Sequence, residues 1–308
     1  MKKLLLAAAV AALSAATSVH ATSWEVTPYP NVTGASLTRV WSVNDLGVLV
    51  GDTESGSFID DHGHRTWYAF ATPNIHNYLA AISNDGTVIG GDGIDSFVDD
   101  HGTITHITAP GATQTSVRGI SANGRYVAGV AFGTAGAQGF IFDRATLTQT
   151  SVSGRAGASI AFTDVNDEGV AVGTSLDNSS SVVYDLRTAT STWFDALDGF
   201  SFLKFRTVNN AGEIGGMAYG ADGHATGIIG STGDGFTAFD PQDDRTFDVG
   251  DLNNVGQAVG GIEYFDGSWQ PFVATEVSAV PEPASMLLIG SGLLATGLIG
   301  RRRRDSAR

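Results

Sequence analysis

The chain has 308 residues, of which 42% are hydrophobic and 16% are charged, with 40 glycines, no cysteine and a formal net charge of −15. This composition supports a packed core and excludes structural disulfides, thiolate metal sites and cysteine nucleophiles. Seven of the 17 basic residues and one of the 32 acidic residues lie in the two terminal segments, which leaves ten basic residues against 31 acidic ones between residues 22 and 283. Because so acidic a body repels phosphate backbones, we expect no nucleic-acid partner.

The first 21 residues have the layout of a secretory signal peptide. A basic pair is followed by the apolar run Leu4 to Leu13, and small residues precede a cleavage point after Ala21. The apolar run is too short to span a bilayer, which argues against a retained anchor at this end. We therefore expect export of the chain and removal of residues 1–21 by signal peptidase.

The body of the chain repeats one segment six times: an aliphatic residue, Asn or Ser, two turn residues, glycine and a strand. The six repeat glycines, 38 to 45 residues apart, are Gly47, Gly86, Gly124, Gly169, Gly212 and Gly256. The Asn or Ser side chain can bond the backbone of a turn, and the glycine supplies the left-handed conformation that closes it. The pattern therefore predicts a tight turn before one strand of each unit.

The strands after these glycines carry adjacent apolar residues, such as Leu49-Val50 and Val88-Ile89. Neighbours on a strand point to opposite faces, so these strands are buried on both sides, as in sheets stacked face to face. Each unit has four strands except the sixth, which lacks its last, while an unassigned strand, Trp24 to Thr27, precedes the first unit. We predict an all-β fold, a six-bladed β-propeller over residues 22–277 that the N-terminal strand closes.

The repeats also resemble those of a bacterial extracellular family with HAF repeats. The match lies in segments such as Asn44 to Gly51 and Asn166 to Gly173, although the triplet that gives the family its name is not intact in most units. The resemblance covers most of residues 38–275 and implies no activity.

Two matching hairpins place His62, His64 and His101 beside Asp60, Asp61, Asp99 and Asp100. Asp-rich turns that end in glycine are ordinary hairpin chemistry, so we interpret them as turns, with neither a metal site nor a cofactor. Catalytic signatures are missing from the sequence, and we expect no enzymatic activity. The loop carboxylates that could meet at a channel mouth are Asp92, Asp95, Asp177 and those between Asp240 and Asp244, and we assign none of them a catalytic role.

The C-terminal end has three parts in order. A linker over residues 278–283 contains Val280, Pro281, Glu282 and Pro283, residues 284–300 are uncharged, and Arg301, Arg302, Arg303 and Arg304 begin the basic tail 301–308. As a helix, residues 284–300 would be about 25 Å long, just enough to cross a membrane. The arginines would stop transfer on the cytoplasmic side.

This tail resembles the PEP-CTERM sorting domain. The resemblance implies export, transient anchoring in the inner membrane, and processing at the Pro-Glu-Pro motif by an exosortase, a separate membrane protease. The protein would then reach the cell surface or the extracellular space. A permanent membrane anchor is the alternative, and the physical properties of the tail do not separate the two.

These observations predict an exported, surface-sorted, non-enzymatic propeller with a structural or interaction role in the cell envelope or the exopolysaccharide matrix. One alternative is a module that binds glycan or calcium at the channel mouth. Another is a hydrolase or lyase that acts on polysaccharide.

Overall fold

The computed structural model describes residues 23–277 apart from 36, 71–76, 93–94, 135, 197–199, 240–244 and 265. In these residues, 24 β-strands form six four-stranded sheets, which confirms the predicted six-bladed propeller. The predicted signal peptide (1–21), linker (278–283), membrane helix (284–300) and basic tail (301–308) lie outside the described residues. Within the described part of the chain, no helix is long and apolar enough to cross a membrane.

Each sheet is one blade, and its strands follow one another outwards from the centre. The innermost strands of blades 1 to 6 are β2 (Thr38–Val43), β6 (Asn77–Ile82), β10 (Gln114–Ile120), β14 (Ile160–Val165), β18 (Phe202–Val208) and β22 (Arg245–Leu252). The second strands are β3 (Val48–Thr53), β7 (Val88–Asp92), β11 (Tyr126–Gly133), β15 (Val170–Ser175), β19 (Ile214–Tyr219) and β23 (Gln257–Tyr264). The third strands are β4 (Gly56–Asp61), β8 (Ser96–Asp100), β12 (Gly136–Asp143), β16 (Ser181–Asp185), β20 (Ala225–Ser231) and β24 (Trp269–Val277). The outer strands are β5 (His64–Trp67), β9 (Thr103–Ile107), β13 (Thr148–Val152), β17 (Thr190–Phe194), β21 (Gly235–Ala238) and, in blade 6, β1 (Ser23–Pro28).

The turn between the first and second strands is built alike in the six blades. All six repeat glycines have positive φ, between 73° and 90°. In blade 1, the Asn44 side chain accepts hydrogen bonds from the backbone N–H groups of Leu46 and Val48, both 3.0 Å long. A short polar side chain followed by a left-handed glycine therefore fixes the register of the two innermost strands of each blade.

Hydrophobic side chains fill the layers between blades. Leu49 and Val50 are both buried, so the second strand of blade 1 packs against a neighbour on each face. Between blades 5 and 6, the rings of Phe239, Phe247 and Phe272 lie 5.3 to 5.6 Å apart between centroids. Each fully buried side chain of this kind stabilises the fold by about 1.5–3 kcal/mol relative to its exposed state.

The N-terminal strand β1 forms the outer edge of blade 6, where it lies beside β24. Its Trp24 ring packs against Phe239, with 5.2 Å between ring centroids. Just after β1, the Tyr29 N–H donates to the Pro271 carbonyl of blade 6 at 2.7 Å, and the Tyr29 hydroxyl donates to the Asp60 carboxylate of blade 1. One short segment thus connects the last blade to the first.

Candidate functional site in the central channel

The six innermost strands surround a central channel, and each contains a β-bulge at the same place. The pairing of the innermost strand with its neighbour shifts by one residue there. The six residues at the shift, which we call the bulge ring, are Trp41, Ala80, Arg118, Thr163, Arg206 and Gly250, and all of them line the channel. Because a bulge re-aims the side chain at the extra residue, it turns these six positions towards the channel.

The residue after the bulge links each of several blades to the next. Asp164 accepts the Val208 N–H at 2.9 Å, Thr207 accepts the Leu252 N–H at 3.1 Å, and Asp251 accepts the Val43 N–H at 2.9 Å. In each case a side-chain oxygen on one blade satisfies a backbone donor on the following blade. These polar side chains therefore hold the channel wall together.

Asp164 and Asp251 share a single hydroxyl group. The Thr207 Oγ1 lies 2.9 Å from the Asp164 Oδ2 and 2.8 Å from the Asp251 Oδ1. A hydroxyl has one proton to donate, so both contacts are hydrogen bonds only if one carboxyl group is itself protonated. Burial raises the pKa of both carboxyl groups, and the Asp251 charge raises that of Asp164 further. The pair therefore holds a proton to a higher pH than two separate aspartates in water would.

One end of the channel is narrow. It is the end at which the innermost strands finish, after the bulge ring. Its cavity has a volume of about 60 Å³ and is bordered by the turns between first and second strands. The Nδ2 groups of Asn166, Asn209 and Asn253 donate to the main-chain carbonyl groups of Asn209, Asn253 and Asn44, at 3.1, 3.3 and 2.9 Å. The last of these bonds joins blade 6 to blade 1. The turns at this end therefore bind one another from blade to blade.

The opposite end is wide. It is the end at which the innermost strands begin, before the bulge ring. Its cavity has a volume of about 460 Å³ and, besides the bulge ring, is lined by Asp52, Tyr78, Leu79, Ser116, Val117 and Asp248. Sites for small molecules have volumes of roughly 300–1,000 Å³. The wide end is therefore the part of the channel that can hold a ligand.

Two arginines line this wide end, one with a carboxylate partner and one without such a partner in the described part of the chain. Arg206 forms a two-pronged ion pair with Asp248, with its Nε 3.2 Å from Oδ1 and its Nη2 2.9 Å from Oδ2. Arg118 has no carboxylate at ion-pair distance among the described residues. Partial loss of water around the Arg118 guanidinium lowers its pKa, Tyr78 opposes this shift, and the Arg206 charge adds to it. The wide end therefore holds one guanidinium without an anionic partner.

The predicted hairpin residues lie in turns away from the channel. His62 and His101 have positive φ, and their Nδ1 atoms lie 2.7 and 2.8 Å from the side-chain oxygens of Asp61 and Asp100. Gly63 and Gly102 donate their N–H groups to the carboxylates of Asp60 and Asp99, both at 2.6 Å. In the described part of the chain, no group of three or more His, Asp or Glu side chains could hold a metal ion.

Of the loop carboxylates singled out in the sequence, only Asp95 and Asp177 have described side chains. Asp95 and Asp177 line neither channel cavity, and Asp177 instead accepts the Ser179 N–H at 3.1 Å within its own turn. Residues 240–244 and the side chain of Asp92 lie outside the description, as do Ala21, the Pro281–Pro283 motif and the four arginines. The sequence analysis did not identify the bulge ring, although each of its members lies six residues before a repeat glycine.

Residues 279–304 match the family model described as the PEP-CTERM protein-sorting motif. A motif of this type implies an exported, surface-directed protein. No curated protein matches the chain in sequence.

Solved structures with the same architecture share little sequence with this chain. The putative TolB from Agrobacterium tumefaciens is 12% identical, with a TM-score of 0.53, over 84% of this chain and 99% of that one. A streptogramin B lyase is 11% identical, with a TM-score of 0.52, over 83% of this chain and 88% of that one. At such low identity the likeness shows the propeller fold alone.

Proposed function

We propose that this protein is an exported propeller that its C-terminal sorting segment directs to the cell surface. There it has a structural or interaction role in the cell envelope or the exopolysaccharide matrix. The match of residues 279–304 to the sorting motif carries this proposal. The acidic body, which suits a soluble domain outside the cytoplasm, and the HAF-like repeats support the same location.

The proposed route uses both ends of the chain. Signal peptidase cleaves after Ala21, residues 284–300 anchor the chain in the inner membrane, and Arg301 to Arg304 stop transfer. An exosortase then acts at Pro281 to Pro283 and releases the propeller.

The proposed role is not catalytic, because three of the carboxylates that line the channel are already engaged in its wall. Asp164 and Asp251 accept backbone N–H groups of the following blade, and Asp248 pairs with Arg206. A general acid or base needs to reach a substrate proton. These three groups are held by the wall that they stabilise.

Glycan binding is the second candidate function, and the wide cavity favours it. Arg118 and Arg206 line this cavity. Their positive charges repel Ca²⁺, which requires a shell of oxygen ligands, so they favour an organic ligand over calcium.

Deletion of residues 281–308 tests the proposed delivery. We expect the truncated protein to disappear from the surface fraction and accumulate elsewhere in the cell or in the medium. Deletion of residues 305–308 is the matched control, since it leaves the proline motif, the uncharged stretch and the four arginines intact. Unchanged surface localisation of the long deletion, followed by immunoblotting of cell fractions, would remove the main support for the proposal.

A further inference from the structure

Arg118 is a charged side chain for which the fold supplies no counterion. Arg39 lies 3.7 Å from Asp52, and Arg206 is paired with Asp248, yet no described carboxylate pairs with Arg118. The Arg118 side chain is exposed to the channel, so its guanidinium is accessible to a ligand that enters the wide end. A bound anion would supply the missing counterion.

We propose that the wide end of the channel binds a carboxylated sugar, with the Arg118 guanidinium holding the carboxylate and the Trp41 ring lying against the sugar. This inference rests on the second candidate function, glycan binding in the wide cavity, and goes beyond the structural role, which needs no ligand site. Arg118 and Trp41 both belong to the bulge ring and line the cavity of about 460 Å³.

Trp41 supplies an apolar surface at a fixed position. The Trp41 residue is 40% exposed, so part of its ring is accessible to a ligand in the channel. The Arg39 guanidinium lies 5.8 Å from the ring centroid. This contact restrains the ring before a ligand arrives, which reduces the entropy lost on binding.

Polar groups for sugar hydroxyls lie nearby. The Tyr78 hydroxyl and the Ser116 hydroxyl are 3.1 Å apart, and both residues line the same cavity. Each retains further capacity to donate or accept a hydrogen bond. The site thus combines an aromatic ring, two hydroxyl groups and one free guanidinium.

The charges favour a carboxylate over a polyanion. A planar guanidinium matches a carboxylate through two parallel hydrogen bonds. The cavity also contains the carboxylates of Asp52 and Asp248, which repel a chain of phosphates. A ligand with one negative charge and an otherwise neutral ring fits this balance.

Calorimetric titration of the purified full-length protein tests the inference, with glucuronate, glucose and acetate as probes. We expect glucuronate to bind, and glucose and acetate each to bind at least about tenfold more weakly, since each lacks one of the two recognised parts. A carboxylated sugar can be free or can stand at the end of a polysaccharide, and titration with a glucuronate trisaccharide distinguishes these two sources. Binding tighter than glucuronate assigns the site to a polysaccharide end, and weaker binding assigns it to the free sugar.

Arg118→Met should weaken glucuronate binding at least about tenfold. Arg187→Ala is the matched control, because it removes one positive charge at a side chain that is 84% exposed and outside both channel cavities. Arg118→Met should also melt no lower than the parent, since it removes a charge without a partner. Absence of glucuronate binding, equal binding of glucose, or equal loss in both variants would overturn the proposal, whatever the localisation of the protein.

Discussion

At the scale of single residues, the most consequential contact is the hydroxyl shared by Asp164 and Asp251. These carboxyl groups come from blades 4 and 6, and Thr207 of blade 5 lies between them. Three successive blades are therefore joined by one proton-sharing chain. Its geometry requires a neutral carboxyl group, so the stability of the propeller depends on pH at this point.

The sign of this dependence follows from the raised pKa values. A carboxyl group whose pKa is higher in the folded state contributes stability that is fully present below its ordinary pKa and is lost as pH rises towards the folded value. We expect the free energy of unfolding to fall as the pH rises above about 4, the ordinary carboxyl pKa, by up to about 1.4 kcal/mol per pH unit for one retained proton. Urea unfolding at a series of pH values measures the slope.

Asp251→Asn should flatten this slope. An amide at position 251 donates to Thr207 as the protonated carboxyl group does, and its oxygen still accepts the Val43 N–H. The Leu252 N–H, which now donates to Asp251 Oδ1, keeps the Thr207 Oγ1 as its acceptor. Asp143→Asn is the matched control, because hydrogen bonding to Arg125 lowers the Asp143 pKa to about 2, outside this pH range. His101 contributes a slope of the same sign, since its hydrogen bond to Asp100 raises its pKa. All three proteins should therefore carry His101→Asn, and an unchanged slope in Asp251→Asn would contradict the shared proton.

At the scale of elements, the segment after β1 repeats a contact found within the ring. The Tyr29 ring is stacked on Phe58, with 6.3 Å between centroids, and the Tyr68 ring is stacked on Phe97 at 6.0 Å. Each tyrosine hydroxyl also donates to an aspartate of the blade that it meets, Asp60 or Asp99. The N-terminal segment thus contacts blade 1 in the same way that the segment after β5 contacts blade 2.

This equivalence gives a matched pair of variants. Tyr29→Phe and Tyr68→Phe each remove one hydrogen bond to a carboxylate, which we expect to cost about 1.5–3 kcal/mol. Tyr29→Phe also removes the hydrogen bond that the Tyr29 hydroxyl accepts from Arg65. Only Tyr29→Phe should speed the hydrogen exchange of the β1 backbone amides, because Tyr29 directly follows β1 whereas Tyr68 follows β5. Mass spectrometry of proteolytic fragments after deuterium labelling gives the comparison. Equal protection of β1 in both variants would show that closure does not depend on this contact.

At the scale of the whole molecule, the ring closes through the same contacts that join its other blades. Asn253 donates to the Asn44 carbonyl, and Asp251 accepts the Val43 N–H, so blade 6 meets blade 1 at the channel as well as through β1. The ring is therefore closed in two places, at its outer edge by β1 and beside the channel by the turns. A propeller closed in this way has no capping elements of the kind that a linear repeat array requires.

The sequence predicted the blades because their signals are local. The turn glycine, the preceding Asn or Ser and the adjacent apolar pair all lie within a few residues of one another. The missing outer strand of unit six also indicated that the strand at Trp24 belongs to that blade, where the structure places it beside β24.

The channel could not be predicted in the same way. The six bulge positions hold Trp, Ala, Arg, Thr, Arg and Gly, which share no chemistry, and a bulge is defined by the partner strand. Gly119 illustrates the difficulty, since a Cβ there would lie 2.5 Å from the Asp164 Cα on the next blade. That requirement exists only once blades 3 and 4 are packed together.

The central claim is that a folded propeller is delivered by terminal segments that are then removed. Mass spectrometry of the intact protein, isolated separately from the membrane and from the surface or medium fraction, tests it most directly. We predict that the surface form begins at Thr22 and ends near Pro283, and that only the membrane form extends to Arg308. A surface form that still ends at Arg308 would contradict the account.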